Sequence, residues 1–114
     1  MIKIKRVYEA PRDEDGVRIL VDRLWPRGVS KDEARIDKWM KEIAPSDKLR
    51  KWFGHDPKKW QQFEDRYGRE LKGKIDLIEE VRGTSKRGTL TLVYSAKDQL
   101  HNQAVVLKEI LEQP

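Results

Sequence analysis

Two polar runs carry the residue types that chemistry needs. The first is Asp22-Arg23-Leu24-Trp25-Pro26-Arg27-Gly28; the second is Ser95-Ala96-Lys97-Asp98, with His101-Asn102 just beyond. Guanidinium forks at Arg23 and Arg27 match carboxylate or phosphate oxygens, and Lys97 adds a point charge. Ser95, Asn102 and Asp22 extend the ligand-binding set with further hydrogen-bonding groups. Histidine is the side chain suited to moving protons near neutral pH, and Asp98 three residues before His101 can fix its tautomer, so these two are the candidate catalytic acid–base pair. Trp25 offers a surface for a base or ring. His55, in Trp52-Phe53-Gly54-His55-Asp56-Pro57, stands at the rim. The chemistry indicated is recognition of a small anion, a nucleotide or a phosphorylated metabolite.

The same residues admit plainer roles. Arg23 can pair with Asp98 and Asp22 with Lys97, fastening two loops together. Asp98 can be an N-cap, His101 a hydrogen-bonded helix residue, and Trp25 packing. His55 and His101 with Asp22 or Asp98 match no metal-ligand spacing, so no metal site is assigned and the cofactor stays open. Neither a phosphate-binding glycine loop nor a nucleophile elbow is present. With no cysteine in the chain, disulfides, thiolate catalysis and cysteine-ligated metal are excluded.

Those side chains need elements to hold them. Ile2-Lys3-Ile4-Lys5 alternates with period two and predicts a strand to about Tyr8, followed by an acidic loop from Pro11 to Gly16. Val17–Asp22 predicts a second strand, which Pro26 and Gly28 stop. A helix is expected from Lys31, capped by Ser30, with Ile36, Trp39, Met40 and Ile43 on one face and Pro45 as its end. Ser46 caps a short helix that stops at Gly54, and Asp56-Pro57 opens another carrying Trp60, Phe63, Tyr67 and Leu71 to Gly73. A further segment bears Ile75, Ile78 and Val81 before a turn at Gly83–Gly88. Thr89–Tyr94 is the third strand, and a last helix from about Gln99 to Glu112 buries Ala104, Val105, Leu107, Ile110 and Leu111.

Few strands separated by helices imply a single α/β domain over residues 1–114, a small, mostly parallel sheet of about three to four strands flanked by helices. The second and third strands are expected parallel, which puts their polar loops at one sheet edge, where open α/β sheets hold ligands. The direction of the first strand is left open.

Composition bounds the classes. Charged residues reach 39% of the chain, in both signs, with net charge +5 and a mean hydropathy of -0.87. The basic balance makes a nucleic-acid-binding module the runner-up, with Trp25 or Trp52 as stacking aromatics. A structural or partner-binding protein without catalysis is the third reading, and the oligomeric state is not legible. The absence of cysteine, of a long apolar run and of a signal-like N-terminus predicts a soluble cytoplasmic protein with no membrane partner.

The blocks Leu20–Gly28, Ala44-Pro45-Ser46 with Leu49 and Trp52–Asp56, and Ala96-Lys97-Asp98 with His101-Asn102 resemble the YeaO-like proteins of domain-of-unknown-function family 488. The resemblance covers nearly the whole chain. It implies a small bacterial or archaeal cytoplasmic α/β protein, with no agreed substrate and no established catalytic residues. Longer relatives in the wider family carry a cysteine near Val93–Ser95 and Cys-His-Arg near His101-Asn102. Thiol or sulfur-transfer chemistry suggested by those relatives does not carry over to a chain without cysteine.

Abundant Lys and Glu with a single asparagine match thermophilic composition. A thermal melt checks this: a midpoint above the mesophilic range of about 45–65 °C is expected, and one inside it removes the inference.

Overall fold

The computed structural model describes residues 1–114. Four strands, β1 (Ile2–Arg6), β2 (Val17–Leu20), β3 (Lys38–Trp39) and β4 (Leu90–Tyr94), form one sheet in the order β1-β4-β2-β3, and every pairing is parallel. Five helices complete the chain: α1 (Lys31–Ala34), α2 (Asp47–Phe53), α3 (Trp60–Lys72), α4 (Ile75–Lys86) and α5 (Gln103–Glu112). The fold is α/β, and the expected parallel pairing of the two long core strands is present as β2 against β4. The first strand runs parallel as well, on the other side of β4. No helix is long and apolar enough to cross a membrane.

Alternation along the strands splits the core into two layers. Ile19, Val21, Leu90, Leu92 and Tyr94 turn to the face covered by α2 to α5, with Ile2 and Ile4 at its margin. Leu20, Val93 and Val7 turn to the other face, beneath Ala34, Trp25, Ile36 and Trp39. Being covered on both faces, β4 is buried at all five positions, which explains why it reads as a nearly continuous apolar run.

The stretch from Lys31 to Ile43 corrects the sequence reading. One helix is expected there, but α1 ends after Ala34, where Arg35 turns left-handed at φ +48°. Lys38 and Trp39 then pair with Ile19 and Leu20, and only Lys41–Ile43 closes a further 3-10 turn. The open edge of β2 decides this. It exchanges backbone bonds with Asp37 and Met40, while the Asp37 carboxylate takes the Arg18 amide at 2.8 Å. Those groups would be unpaired beside a helix, so satisfying the edge overrides a helical period that is real in the sequence.

Other boundaries also move: β1 ends at Arg6 instead of about Tyr8, β2 at Leu20 instead of Asp22, and a 3-10 turn, Pro57–Lys59, precedes α3. The expected turn at Gly83 is helical, because α4 continues to Lys86 and Arg82 is anchored on the Ile110 and Leu111 carbonyls of α5. The last helix starts at Gln103 rather than Gln99, since Asp98 draws the Leu100 and His101 amides into a turn of its own. Its inward face accordingly includes Val106, while Val105 and Ile110 are half-buried.

At the start of β2 the carboxylate of Asp15 gathers three elements. It pairs with Arg18 at 2.6 Å and Lys5 at 3.1 Å, while its backbone carbonyl accepts the Thr91 hydroxyl at 2.7 Å. Burial pushes the Asp15 carboxyl up, but the Arg12 amide, Lys5 and Arg18 outweigh it and hold it below the ordinary range. Arg18 in turn donates twice to the Ala34 carbonyl. Beside this pair Gly16 sits at φ +65°, and a Cβ there would lie 2.1 Å from the Thr89 carbonyl oxygen. Gly16→Ala is therefore expected to cost about 2–6 kcal/mol, from left-handed strain and overpacking together. Gly68→Ala, within α3 and facing open space, is expected to stabilise by up to ~1 kcal/mol. Urea unfolding of both variants checks the contrast; similar midpoints would contradict it.

Candidate anion-binding cleft

The polar loops after β2 and β4 do meet at one edge of the sheet. Between them and the α2 end lies a cleft of about 160 Å³, lined by Asp22, Arg23, His55, Ser95, His101 and Asn102 from the residues singled out in the sequence. Leu24, Pro45, Arg50, Phe53, Phe63, Ala96 and Gln103 complete the lining. Phe53 and Phe63, stacked at 4.4 Å between ring centroids, make its apolar wall.

Arg23 is placed by the chain opposite it. Its Nε donates to the Pro45 carbonyl at 2.9 Å and its Nη2 to the Ala44 carbonyl at 3.1 Å. The segment receiving these bonds is itself pinned to α3. Tyr67, fully buried, donates its hydroxyl to the Ile43 carbonyl at 2.7 Å, and Glu70 accepts from both the amide and the hydroxyl of Ser46. Ser46 then caps α2 through the Leu49 amide. The block Ala44-Pro45-Ser46 is thus the seat of Arg23, and the guanidinium keeps Nη1 for the cleft. The expected pairings of Arg23 with Asp98 and of Asp22 with Lys97 do not form: the backbone carbonyls take Arg23, and Gln103 takes Asp22.

His55 arrives by an unusual path. Gly54 ends α2 in the left-handed region at φ +54°, and His55 stays there at φ +58°. Two successive left-handed residues reverse the chain so that His55 lines the cleft before Asp56 caps the next turn. Holding a non-glycine residue there costs roughly 1–2 kcal/mol.

Asp98 and His101 are joined, Nδ1 to Oδ2 at 2.8 Å, and His101 packs edge-on against Trp60. Asp98 is held below the ordinary carboxylate range by the Leu100 amide first and His101 next. The imidazole lines the cleft; Asp98 stands behind it. Asn102 is buried and spends its side chain on the helix start, accepting from the Val105 amide and donating to the Asp98 carbonyl.

Besides Asp98, three residues singled out in the sequence lie outside the lining. Trp25 packs against Trp39 on the other face of the sheet and donates its indole N–H to the Val29 carbonyl. Arg27 and Lys97 are exposed at the loop tips. Conversely, Arg50 and Gln103 were missed. Arg50 reads as one of several surface cations on α2, and nothing in the sequence marks Gln103 as facing β2.

Asp22 is the unusual group. It is 8% exposed; Oδ1 accepts from Gln103 at 2.5 Å, and Oδ2 is buried without a hydrogen-bond partner. Burial pushes its carboxyl up, against smaller opposing pulls from Ser95, Gln103 and His55.

A family model described as the inactive DUF488-N3 subclade matches residues 1–114. The chain belongs to that family. The uncharacterised protein YeaO of Escherichia coli K12 is 43% identical over 110 residues, spanning 96% of each chain. An uncharacterised protein of Mycobacterium tuberculosis H37Rv is 38% identical over 110 residues, covering 96% of this chain and 92% of the relative. No solved structure matches. The resemblance to domain-of-unknown-function family 488 is therefore correct, and the family description names no substrate, ligand or partner.

The raised Asp22 carboxyl has a sign that can be tested. Its stabilising contribution is greatest below the ordinary carboxylate value of 3.8 and is lost as pH rises through the elevated folded-state value. Asp22→Asn lacks that loss. The variant is expected to gain on the parent as pH rises toward neutrality, by about 1–3 kcal/mol or several degrees in melting midpoint. A gap between variant and parent that stays constant with pH would contradict the assignment.

Proposed function

We propose that the cleft binds a small anionic ligand, a phosphorylated metabolite in preference to a whole nucleotide, and does so without turning it over. The observation that carries this reading is the convergence of two guanidiniums, Arg23 and Arg50, and two imidazoles, His55 and His101, on one cleft. Each guanidinium retains N–H donors beyond its protein bonds. A volume of about 160 Å³ favours a small ligand, since sites for drug-sized molecules span roughly 300–1,000 Å³. The start of α5 adds a favourable dipole for an anion. Asp98 then serves as a positioning residue that holds His101 through Nδ1 and leaves Nε2 to the ligand. The word inactive in the family description supports binding without catalysis.

A second reading, single-stranded nucleic acid on the α2–α3 face, is favoured by a separate observation. Lys48, Arg66 and Arg69 surround Trp52 without carboxylate partners, and Arg66 lies 4.1 Å from its ring centroid. There Trp52 is covered by a cation, so Arg66 would be the stacking surface.

One thermal-shift panel separates the two. Ligand at about 100 times its dissociation constant adds roughly 2.7 kcal/mol, a shift of several degrees. Small phosphate esters are expected to give that shift, to lose it in Arg50→Ala and to keep it in Arg27→Ala and Lys97→Ala. Phosphorus NMR is expected to find the ester intact afterwards; its consumption would establish Asp98 and His101 as a working acid–base pair instead. Shifts with oligonucleotides alone, lost at high salt and in Arg66→Glu, would replace the cleft reading with the second.

A further inference from the structure

A carboxylate is out of place in a pocket for an anion. Asp22 nevertheless lines this one, the single carboxylate in a wall that carries Arg23, Arg50, His55 and His101. It belongs to no ion pair; Gln103, a neutral donor, bonds one of its oxygens, and the other has only the neutral Ser95 hydroxyl and amide nearby and no bond of good geometry. Elsewhere the chain shows what a structural buried carboxylate looks like: Asp15 is buried as well, yet takes Arg18, Lys5 and the Arg12 amide. Asp22 has a guanidinium in the same cleft, but Arg23 gives its Nε and Nη2 to the Pro45 and Ala44 carbonyls and forms no ion pair with it. The acceptor capacity of Asp22 is therefore withheld from the protein's own cations.

We infer that the ligand is dipolar: a phosphorylated primary amine, whose phosphate meets the guanidinium and imidazole rim while its ammonium is held by the Asp22 carboxylate. The inference rests on the anion-binding reading of the cleft and adds the second functional group. An ammonium supplies both things Asp22 lacks, an N–H donor and a compensating charge. A hydroxyl supplies only the first. A second anionic group at that end would face Asp22 directly, so the cleft selects against diacidic phosphate esters as it selects for aminated ones.

The test compares 2-aminoethyl phosphate with 2-hydroxyethyl phosphate by titration calorimetry on the intact protein at neutral pH. The two probes differ in the ammonium alone. The parent is expected to prefer the amine at least tenfold. Asp22→Asn, which keeps the side-chain shape, is expected to abolish the preference while binding the hydroxy ester as well as the parent does or better. Equal affinity of the parent for both esters overturns the inference and leaves the anion reading standing, as does a preference that survives in Asp22→Asn. Failure of both esters to bind overturns the two together. The parent-only comparison holds whatever the variant does to folding. Because the same headgroup occurs in lipid, sedimentation with phosphatidylethanolamine vesicles is the last arm. The soluble ester is expected to bind and the vesicles not to; tighter binding to vesicles would overturn a soluble metabolite as ligand.

Discussion

The buried ion pair between Asp15 and Arg18 is the constraint on which the rest of the molecule depends. It closes the gap between the end of the first connection and the second strand. Through Lys5 and Thr91 the same residue reaches β1 and β4, and through Arg18 it reaches the end of α1. Parallel strands have no hairpins to set their register. Here the register of β2 against β4 is set at their first residues by this network and by the close approach of Gly16 to Thr89. A mutual pair of this kind is costly to bury and more costly to break, so its value is in specifying one arrangement of strands.

That arrangement determines where the polar loops lie. With Val17 opposite Leu90 and Leu20 opposite Val93, the residues after both strands emerge at the same edge within one register step. Asp22 and Ser95 face one cleft as a consequence of the pairing at the far end of the sheet. The remaining wall comes from the long excursion between β2 and β4, whose segment from Ile43 to Ser46 is fastened to α3 by Tyr67 and Glu70. Arg23 completes the closure by bonding to that segment. It is both a fastener of the cleft and a charge within it, which makes loss of its side chain an ambiguous probe of ligand binding. Arg50, exposed on α2, carries no such structural duty.

Much of the fold was legible in the residues. The β-branched runs gave β2 and β4; Ser46 and Gly54 marked the ends of α2 and Gly73 the end of α3, while Asp56-Pro57 opens a 3-10 turn, Pro57–Lys59, that leads into α3. The failures share a cause. From Lys31 to Ile43 the helical period was genuine, but backbone groups on the open edge of β2 captured the chain. At Gly83 and Gln99 local signals were outweighed by side chains arriving from elsewhere, Arg82 on α5 and Asp98 on its own loop. Of the residues picked for chemistry, Asp22, Arg23, Ser95, His101, Asn102 and His55 share the cleft, while Trp25 went to the opposite face. Asp22, Arg23 and Ser95 are placed by the strands they follow, and His101 and Asn102 by the start of α5, whereas Trp25, Arg27 and Lys97 stand on loop segments whose direction residue type does not fix.

The residues alone give the α/β class, the family, the absence of cysteine and the two loops that line the cleft. Those follow from residue type and local period, which act over a few residues. Only the tertiary structure decided that Arg23 binds carbonyls instead of Asp98, that Gln103 reaches Asp22, and that one carboxylate is left buried and half-satisfied among cations. Each of these is a contact between segments distant in the chain, and the distance is closed by a register set at the opposite edge of the sheet.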